Sequence, residues 1–270
     1  MKLTVVVDNL CGSSSLLGEH GLSIMIETPR GNLLFDTGQG HSLLHNLREL
    51  GFSPEDITRV CLSHGHYDHC GGLPQLLSRK PSLEIWGSRA VQSPHFSVKS
   101  GLPAFIGMDL NLEHRSFFPI DEPAEVIGGL WAFTVPVEKR EENSLSRSGL
   151  VIPDGSGGWI KDPFKDDISL LALGIHGPSL ILGCAHSGVI NIMRHVKDTF
   201  GHNSFYAVVG GTHLSSVPRQ KLMPQLERIN DEFDVKLWRP NHCTGFTAAS
   251  ALTSIHHDVV WGSSGMSLEL

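Results

Sequence analysis

Short runs of apolar and β-branched residues recur along the chain, separated by clusters of glycine, proline, asparagine and aspartate. Runs of that length and punctuation predict strands, here at residues 3–9, 22–28, 33–36, 59–63, 83–87, 130–137, 169–175, 179–183, 205–209, 235–238 and 259–261. Pro29-Arg30-Gly31-Asn32 and His176-Gly177-Pro178 fall between neighbouring runs and predict two hairpins. Elsewhere the period becomes helical. Leu43, Leu44, Leu47 and Leu50 mark one buried helix face, with Gly51 as its stop. Val189, Ile192, Met193, Val196 and Phe200 mark a second, and Leu222, Leu226, Ile229 and Phe233 a third that Pro218 opens at its first turn. Strands, a helix and a polar loop thus follow one another once in each half, the pattern of an α/β fold. Residues 88–165 break it, being rich in proline, glycine, serine and charge. They are expected to form an irregular insertion that covers a site on a single domain of residues 1–270.

At 270 residues the chain can bury a large core without disulfides or metals. A metal site, if present, would therefore serve function rather than hold the fold together. The formal charge of −7 and the lack of a basic run argue against a nucleic-acid partner. The cysteines Cys11, Cys61, Cys70, Cys184 and Cys243 are odd in number and form no C-x-x-C pair, which fits free thiols in a reducing compartment. No apolar stretch approaches the roughly 20 residues that span a bilayer. Residues 1–8 are too short an apolar run for a secretory signal, so a cytoplasmic protein without membrane contact is expected.

The segment Leu62-Ser63-His64-Gly65-His66-Tyr67-Asp68-His69-Cys70-Gly71-Gly72 is the most informative. Three imidazoles and a carboxylate follow an apolar strand, and on an irregular loop they can converge on one ion. Imidazole nitrogen and carboxylate oxygen suit zinc or a similar divalent cation. The glycines let the backbone turn tightly enough for that convergence.

The pattern His-x-His-x-Asp-His at residues 64–69 resembles the signature of the metallo-β-lactamase superfamily. Phe35-Asp36-Thr37-Gly38, Gly183-Cys184-Ala185-His186 and Asn241-His242-Cys243-Thr244-Gly245 resemble its other motifs. The resemblance implies an αββα sandwich of two mixed sheets flanked by helices, with the site at one edge. It also implies two divalent ions, zinc first and manganese, iron or magnesium behind it. His64 and His66 would bind one ion, Asp68 and His69 the other, with His186 and His242 completing the set. Asp8-Asn9, Gly18-Glu19-His20-Gly21 and Gly210-Gly211-Thr212-His213-Leu214 add a narrower resemblance. They are similar to the subgroup named for 7,8-dihydropterin-6-methyl-4-(β-D-ribofuranosyl)aminobenzene 5′-phosphate synthase, the dihydropteroate-synthase-like proteins.

In its second half the chain departs from the wider family, because a separate histidine and a bridging aspartate are not both evident. Either His186 serves for one of them, or Asp166 or Asp167 contributes, or the second position is more open. His213 is read as a metal ligand, as a hydrogen-bonding group for substrate or leaving group, or as structural. Asp36 is expected to orient a ligating histidine, and His20 to line the pocket. Cys184 and Cys243 are read as bystanders.

The leading function is hydrolysis of a small ester, phosphoester or lactone, because bound divalent ions acidify water and polarise the attacked oxygen. Asp68 would ligate and steer the water, while His213 or His20 would assist the leaving group. Arg89, Lys99 and Arg115 would meet an anionic or phosphorylated substrate. The rivals are a pterin-phosphate synthase on the same metal site, a di-iron redox enzyme, and a non-catalytic metal or ligand sensor. Oligomerisation is left open.

Overall fold

Successive side chains of a strand point to opposite faces of its sheet, and in this chain both faces are apolar. A computed structural model describes residues 1–99, 101–142, 145, 149–215 and 217–270. The strands of the first half are β1 (Lys2–Val7), β2 (Ser23–Thr28), β3 (Gly31–Phe35), β4 (Ile57–Cys61), β5 (Glu84–Gly87), β6 (Phe96–Lys99), β7 (Leu102–Phe105) and β8 (Phe117–Pro119). Those of the second are β9 (Ala124–Ile127), β10 (Leu130–Thr134), β11 (Leu150–Pro153), β12 (Trp159–Lys161), β13 (Ile168–Gly174), β14 (Gly177–Leu182), β15 (Ser204–Gly210), β16 (Asp234–Pro240) and β17 (Ser267–Glu269). The helices are α1 (Leu43–Glu49), α2 (Tyr67–Cys70), α3 (Leu73–Arg79), α4 (Val189–Phe200), α5 (Arg219–Glu232) and α6 (Gly245–Leu252).

One sheet runs β17-β1-β2-β3-β4-β5-β8 and the other β16-β15-β14-β13-β10-β9. Both are mixed: the pairs from β3 to β8 and from β14 to β16 are parallel, and the remaining pairs antiparallel. The alternation sorts the core into layers. Ile24, Ile26, Leu33 and Phe35 face Leu170, Ala172, Ile181 and Val209 across the space between the sheets. Met25, Leu34 and Val60 point the other way, onto Leu43 and Leu47 of α1 and Leu73 and Leu76 of α3. Leu180, Leu182 and Val208 pack outward on Val189, Met193, Leu226 and Leu252 from α4, α5 and α6. The result is an αββα sandwich. Each fully buried aliphatic side chain contributes about 1.5–3 kcal/mol, so the layers hold without a covalent staple, and all five cysteines are free.

Residues 88–165 are not the irregular insertion that their composition suggests. They contribute β8 to one sheet and β9 and β10 to the other, while β12-β11-β6-β7 form a separate four-stranded antiparallel sheet. Three smaller expectations also change. The strand expected at residues 259–261 is reduced to a single bridge between Val259 and Trp238. Pro218 precedes α5 as its cap rather than lying inside its first turn. Asp68 and His69 sit on the one-turn helix α2, not on a loop. No helix among the described residues is long and apolar enough to cross a membrane.

Candidate metal centre

Asp8, Asp36, His64, Cys184 and His242 all lie just past the carboxyl ends of β1, β3, β4, β14 and β16. Those ends share one edge of the sandwich, where open α/β sheets place ligands. The backbone there is held in unusual shapes. Asp36, Ala185, His213 and His242 take φ of 61°, 55°, 52° and 48°, a left-handed region that side chains disfavour and that clusters at functional sites.

Several overlapping groups of donor atoms converge among the described residues, one of them His66, His95 and Asp162, and two hold the ligand set expected from the sequence. In the first, ring nitrogens of His64, His66 and His186 all lie within 4.8 Å of one another. His64 Nε2, His66 Nε2 and both ring nitrogens of His186 are buried without a hydrogen-bond partner. A buried polar atom left unpaired costs about 1–3 kcal/mol, so three such rings facing one point form a cradle for a cation. Phe164 stacks on the His186 ring at 3.7 Å between centroids.

The second group joins Asp68, His69 and His242. His69 Nε2 lies 3.1 Å from His242 Nε2, and Asp68 Oδ2 lies 3.4 Å from His242 Nε2 and 3.8 Å from His69 Nε2. Cys184 Sγ stands 3.1 Å from His69 Nε2 and belongs to donor groups with His64 and with His242 and Cys243. A tetrahedral ion about 2.0 Å from each nitrogen separates its ligand atoms by roughly 3.3 Å, so these spacings fit a shared cation.

The supporting shell is specific. Asp36 Oδ2 accepts from His69 Nδ1 at 2.7 Å, and its carboxylate accepts from Ser63 N and Ser63 Oγ at 2.7 Å each. Ser63 Oγ in turn lies 2.8 Å from His64 Nδ1. Asp8 Oδ1 accepts from His242 N at 2.8 Å, and Asn9 Oδ1 lies 3.2 Å from His242 Nδ1. Gly183 leaves room for this arrangement, since a Cβ there would lie 2.2 Å from Ser63 Oγ.

Burial dominates the electrostatics of the first group. It pushes His64 and His186 well below the usual imidazole range and His66 down to about 3. Burial alone would lower His69 too, but the Asp36 and Asp68 carboxylates outweigh it and lift that ring to about 9. Burial opposes the charge of Asp68, yet His69, His20 and His242 hold its carboxyl well below the ordinary range.

These shifts set a pH dependence for the metal-free protein. Below about 6.5 the unfolded chain protonates its histidines while the three buried rings stay neutral, so the unfolded state binds more protons and stability falls as pH drops. Asp8 and Asp167, raised by burial, act in the opposite sense, as do His20, His69 and His95, which their carboxylate partners raise; those three rings are already protonated in the fold at pH 6.5, so they offset the three buried rings only in small part. Chelator-treated protein should therefore melt at progressively lower temperature from pH 6.5 to pH 5, and a flat or rising profile would contradict these burials.

A pocket of about 530 Å³ opens onto both groups, lined by His66, Asp68, Cys184, His186, His242 and Cys243. Asn9, His20, His213 and Ser215 add polar groups, while Tyr67, Ser97, Ile106 and Leu150 form a more apolar wall. His20 Nε2 lies 3.1 Å from Asp68 Oδ2, a contact that raises its pKa. His213 stacks obliquely on His186 at 4.4 Å and leaves Nδ1 unpaired. A more open groove of about 720 Å³ lies elsewhere, between Asn203, Asp234 and His257; it holds none of these donor groups.

The structure thus brings His64, His66, Asp68, His69, His186, His242, Asp36, His20 and His213 together. Arg89 is exposed and paired with Asp121 at 2.9 Å, outside the pocket lining, and Arg115 is likewise exposed and absent from it. The side chain of Lys99 lies outside the described residues. Asp166 and Asp167 accept from backbone N–H groups and join neither donor group. Cys184 was legible only as a neighbour of His186, and His95, packed on His66 at 5.1 Å between ring centroids, carried no sequence signal.

The family model of the metallo-beta-lactamase superfamily matches residues 17–184. An uncharacterized protein of Methanocaldococcus jannaschii is 31% identical over 95% of this chain and 96% of its own length. The 7,8-dihydropterin-6-methyl-4-(beta-D-ribofuranosyl)-aminobenzene-5'-phosphate synthase of the same organism is 25% identical over 92% of this chain and 89% of its own. The crystal structure of a metal-dependent hydrolase of the beta-lactamase superfamily superimposes with a TM-score of 0.85 at 25% identity, covering 100% of this chain and 99% of that one.

Proposed function

The chain belongs to the metallo-β-lactamase superfamily, and on that premise we propose that it is a dinuclear metal-dependent hydrolase of small ester or lactone-like molecules. The observation that carries the reading is the trio of buried imidazoles His64, His66 and His186, each with a ring nitrogen that has no hydrogen-bond partner. They would hold one ion, and Asp68, His69 and His242 a second, with Cys184, 3.1 Å from His69 Nε2, as a further donor to that position. Bound divalent ions supply Lewis acidity and an acidified water.

The rest of the chemistry falls to the chain. His69 is oriented by Asp36, and His242 by Asp8 and Asn9. His20, whose proton is favoured by Asp68, stands at the pocket mouth as the donor to a leaving group. His213 offers its free Nδ1 to substrate. Tyr67, Ile106 and Leu150 would hold the substrate's apolar part and exclude water. No lysine or arginine lines the pocket among the described residues, which favours a carboxylic ester or lactone over a phosphoester.

A second reading, a pterin-phosphate synthase on the same site, is favoured by one observation. The similarity to the named synthase spans nearly the whole of both chains. The two are separated by assaying the metal-loaded protein on a lactone, a carboxylic ester, a phosphomonoester and a phosphodiester, then with a pterin diphosphate and 4-(β-D-ribofuranosyl)aminobenzene 5′-phosphate, whose amine would displace diphosphate. Turnover of the ester or lactone is expected. Turnover of phosphoesters alone would overturn the substrate class, and condensation product alone would move the assignment to the synthase.

A further inference from the structure

Asp166 and Asp167 are both buried, and both direct their oxygens at peptide groups. Asp166 Oδ2 accepts from Gly65 N at 2.8 Å, the peptide between His64 and His66. Asp167 Oδ1 accepts from His186 N at 3.2 Å, and its Oδ2 from Ser187 N at 2.8 Å. The next residue, Ile168, donates its N–H to Ser63 O at 2.7 Å. Two adjacent carboxylates therefore grip the backbones that carry all three rings of the first donor group. One loop comes from each half of the fold, so their spacing is not set by local sequence.

The grip extends upstream. Phe164, at φ 48°, stacks on the His186 ring. Asp162 Oδ1 accepts from Phe164 N at 2.7 Å, and its Oδ2 lies 2.5 Å from His95 Nδ1. The other ring nitrogen of His95 lies 3.1 Å from Asp166 Oδ2. On the far side Gly65 is pressed against the 89–92 turn, where a Cβ would lie 2.0 Å from Val91 O. The Gly65 peptide is thus clamped between the turn and Asp166.

We propose that residues 162–168, with His95, form a strap whose purpose is to set the spacing of His64, His66 and His186. Asp166, Asp167 and His95 are positioning residues for the first ion only. The second group is placed by other means, namely Asp8 and Asn9 on His242, while Asp36 serves both groups through His69 and Ser63. The proposal rests on the two-ion reading of the site. It predicts that the strap and Asp8 control different ions.

The test is cobalt titration of metal-stripped full-length protein, followed by equilibrium dialysis with elemental analysis and by absorption spectroscopy. Wild-type protein should bind two equivalents. Asp167→Asn leaves one oxygen for two N–H donors, and should weaken one ion by about 10–100-fold, as loss of an orienting partner does. The sulfur-to-cobalt charge-transfer band from the cysteines beside His242, Cys184 and Cys243, should survive. His95→Gln should weaken the same ion, and stands in should Asp167→Asn fail to fold. Asp8→Asn should weaken the other ion and reduce the band. Wild-type affinity for both ions in both strap variants, or equal loss of both, would overturn the strap. Fewer than two ions in the wild type would sink the two-ion reading beneath it.

Discussion

On the two-ion reading, His66→Ala should remove one bound ion and lower kcat/KM about a thousandfold, with the protein still folded. The magnitude follows from losing several kcal/mol of Lewis-acid stabilisation, each 1.36 kcal/mol being tenfold in rate. Folding should tolerate the change, because the ring is buried with an unpaired nitrogen and a depressed pKa of about 3. Removing it relieves an unsatisfied group instead of breaking a bond. Elemental analysis and melting temperature would be read beside the rate. Activity lost with metal content unchanged would mean that His66 acts on substrate, not on an ion.

Asp36→Ala should behave in the opposite way, as a stability lesion first. The carboxylate is fully buried and meets Ser63 N, Ser63 Oγ and His69 Nδ1, each at 2.7 Å. Its loss strands a His69 ring that the surrounding carboxylates hold protonated to about pH 9 in the metal-free protein. Breaking a buried charged pair from one side costs about 3–5 kcal/mol, or roughly 10 °C in Tm for a chain of this size. Denaturant unfolding of the metal-free protein would measure it. A change below about 1 kcal/mol would show that Asp36 behaves as an exposed partner would. The contrast between the two variants separates residues that serve the ion from residues that serve the fold around it.

How far the sequence reaches depends on the range of the interactions involved. Alternation along residues 22–28 and helical spacing along 189–200 are local, and both appear at nearly those limits in β2 and α4. The cluster of residues 64–69 was legible because its spacing is local as well. The four-stranded sheet was not. Its strands are three or four residues long, and pairs such as Leu150 with Ser97 and Phe96 with Phe105 declare themselves only when the chain has closed. A one-turn helix such as α2 is too short to show a period. The same reasoning covers the side chains. Cys184 reads as a bystander until His69, from the other half, lies 3.1 Å from its sulfur. His95 is one histidine in a stretch without pattern, and acquires meaning only between Asp162 and Asp166.

Of the pocket wall, Ser97 and Leu150 come from the small sheet, and Ile106 directly follows its strand β7; among the described residues that sheet shares no strand pairing with the two sheets that carry the donor atoms. On the proposed function, selection can therefore revise what the pocket accepts without disturbing the donor atoms. Exchanging residues 96–105 and 150–161 between relatives would transplant preference as a module, and divergence of substrate could outpace divergence of mechanism. His95 and Asp162, at the roots of that sheet, lie outside the exchanged segments and would stay in place.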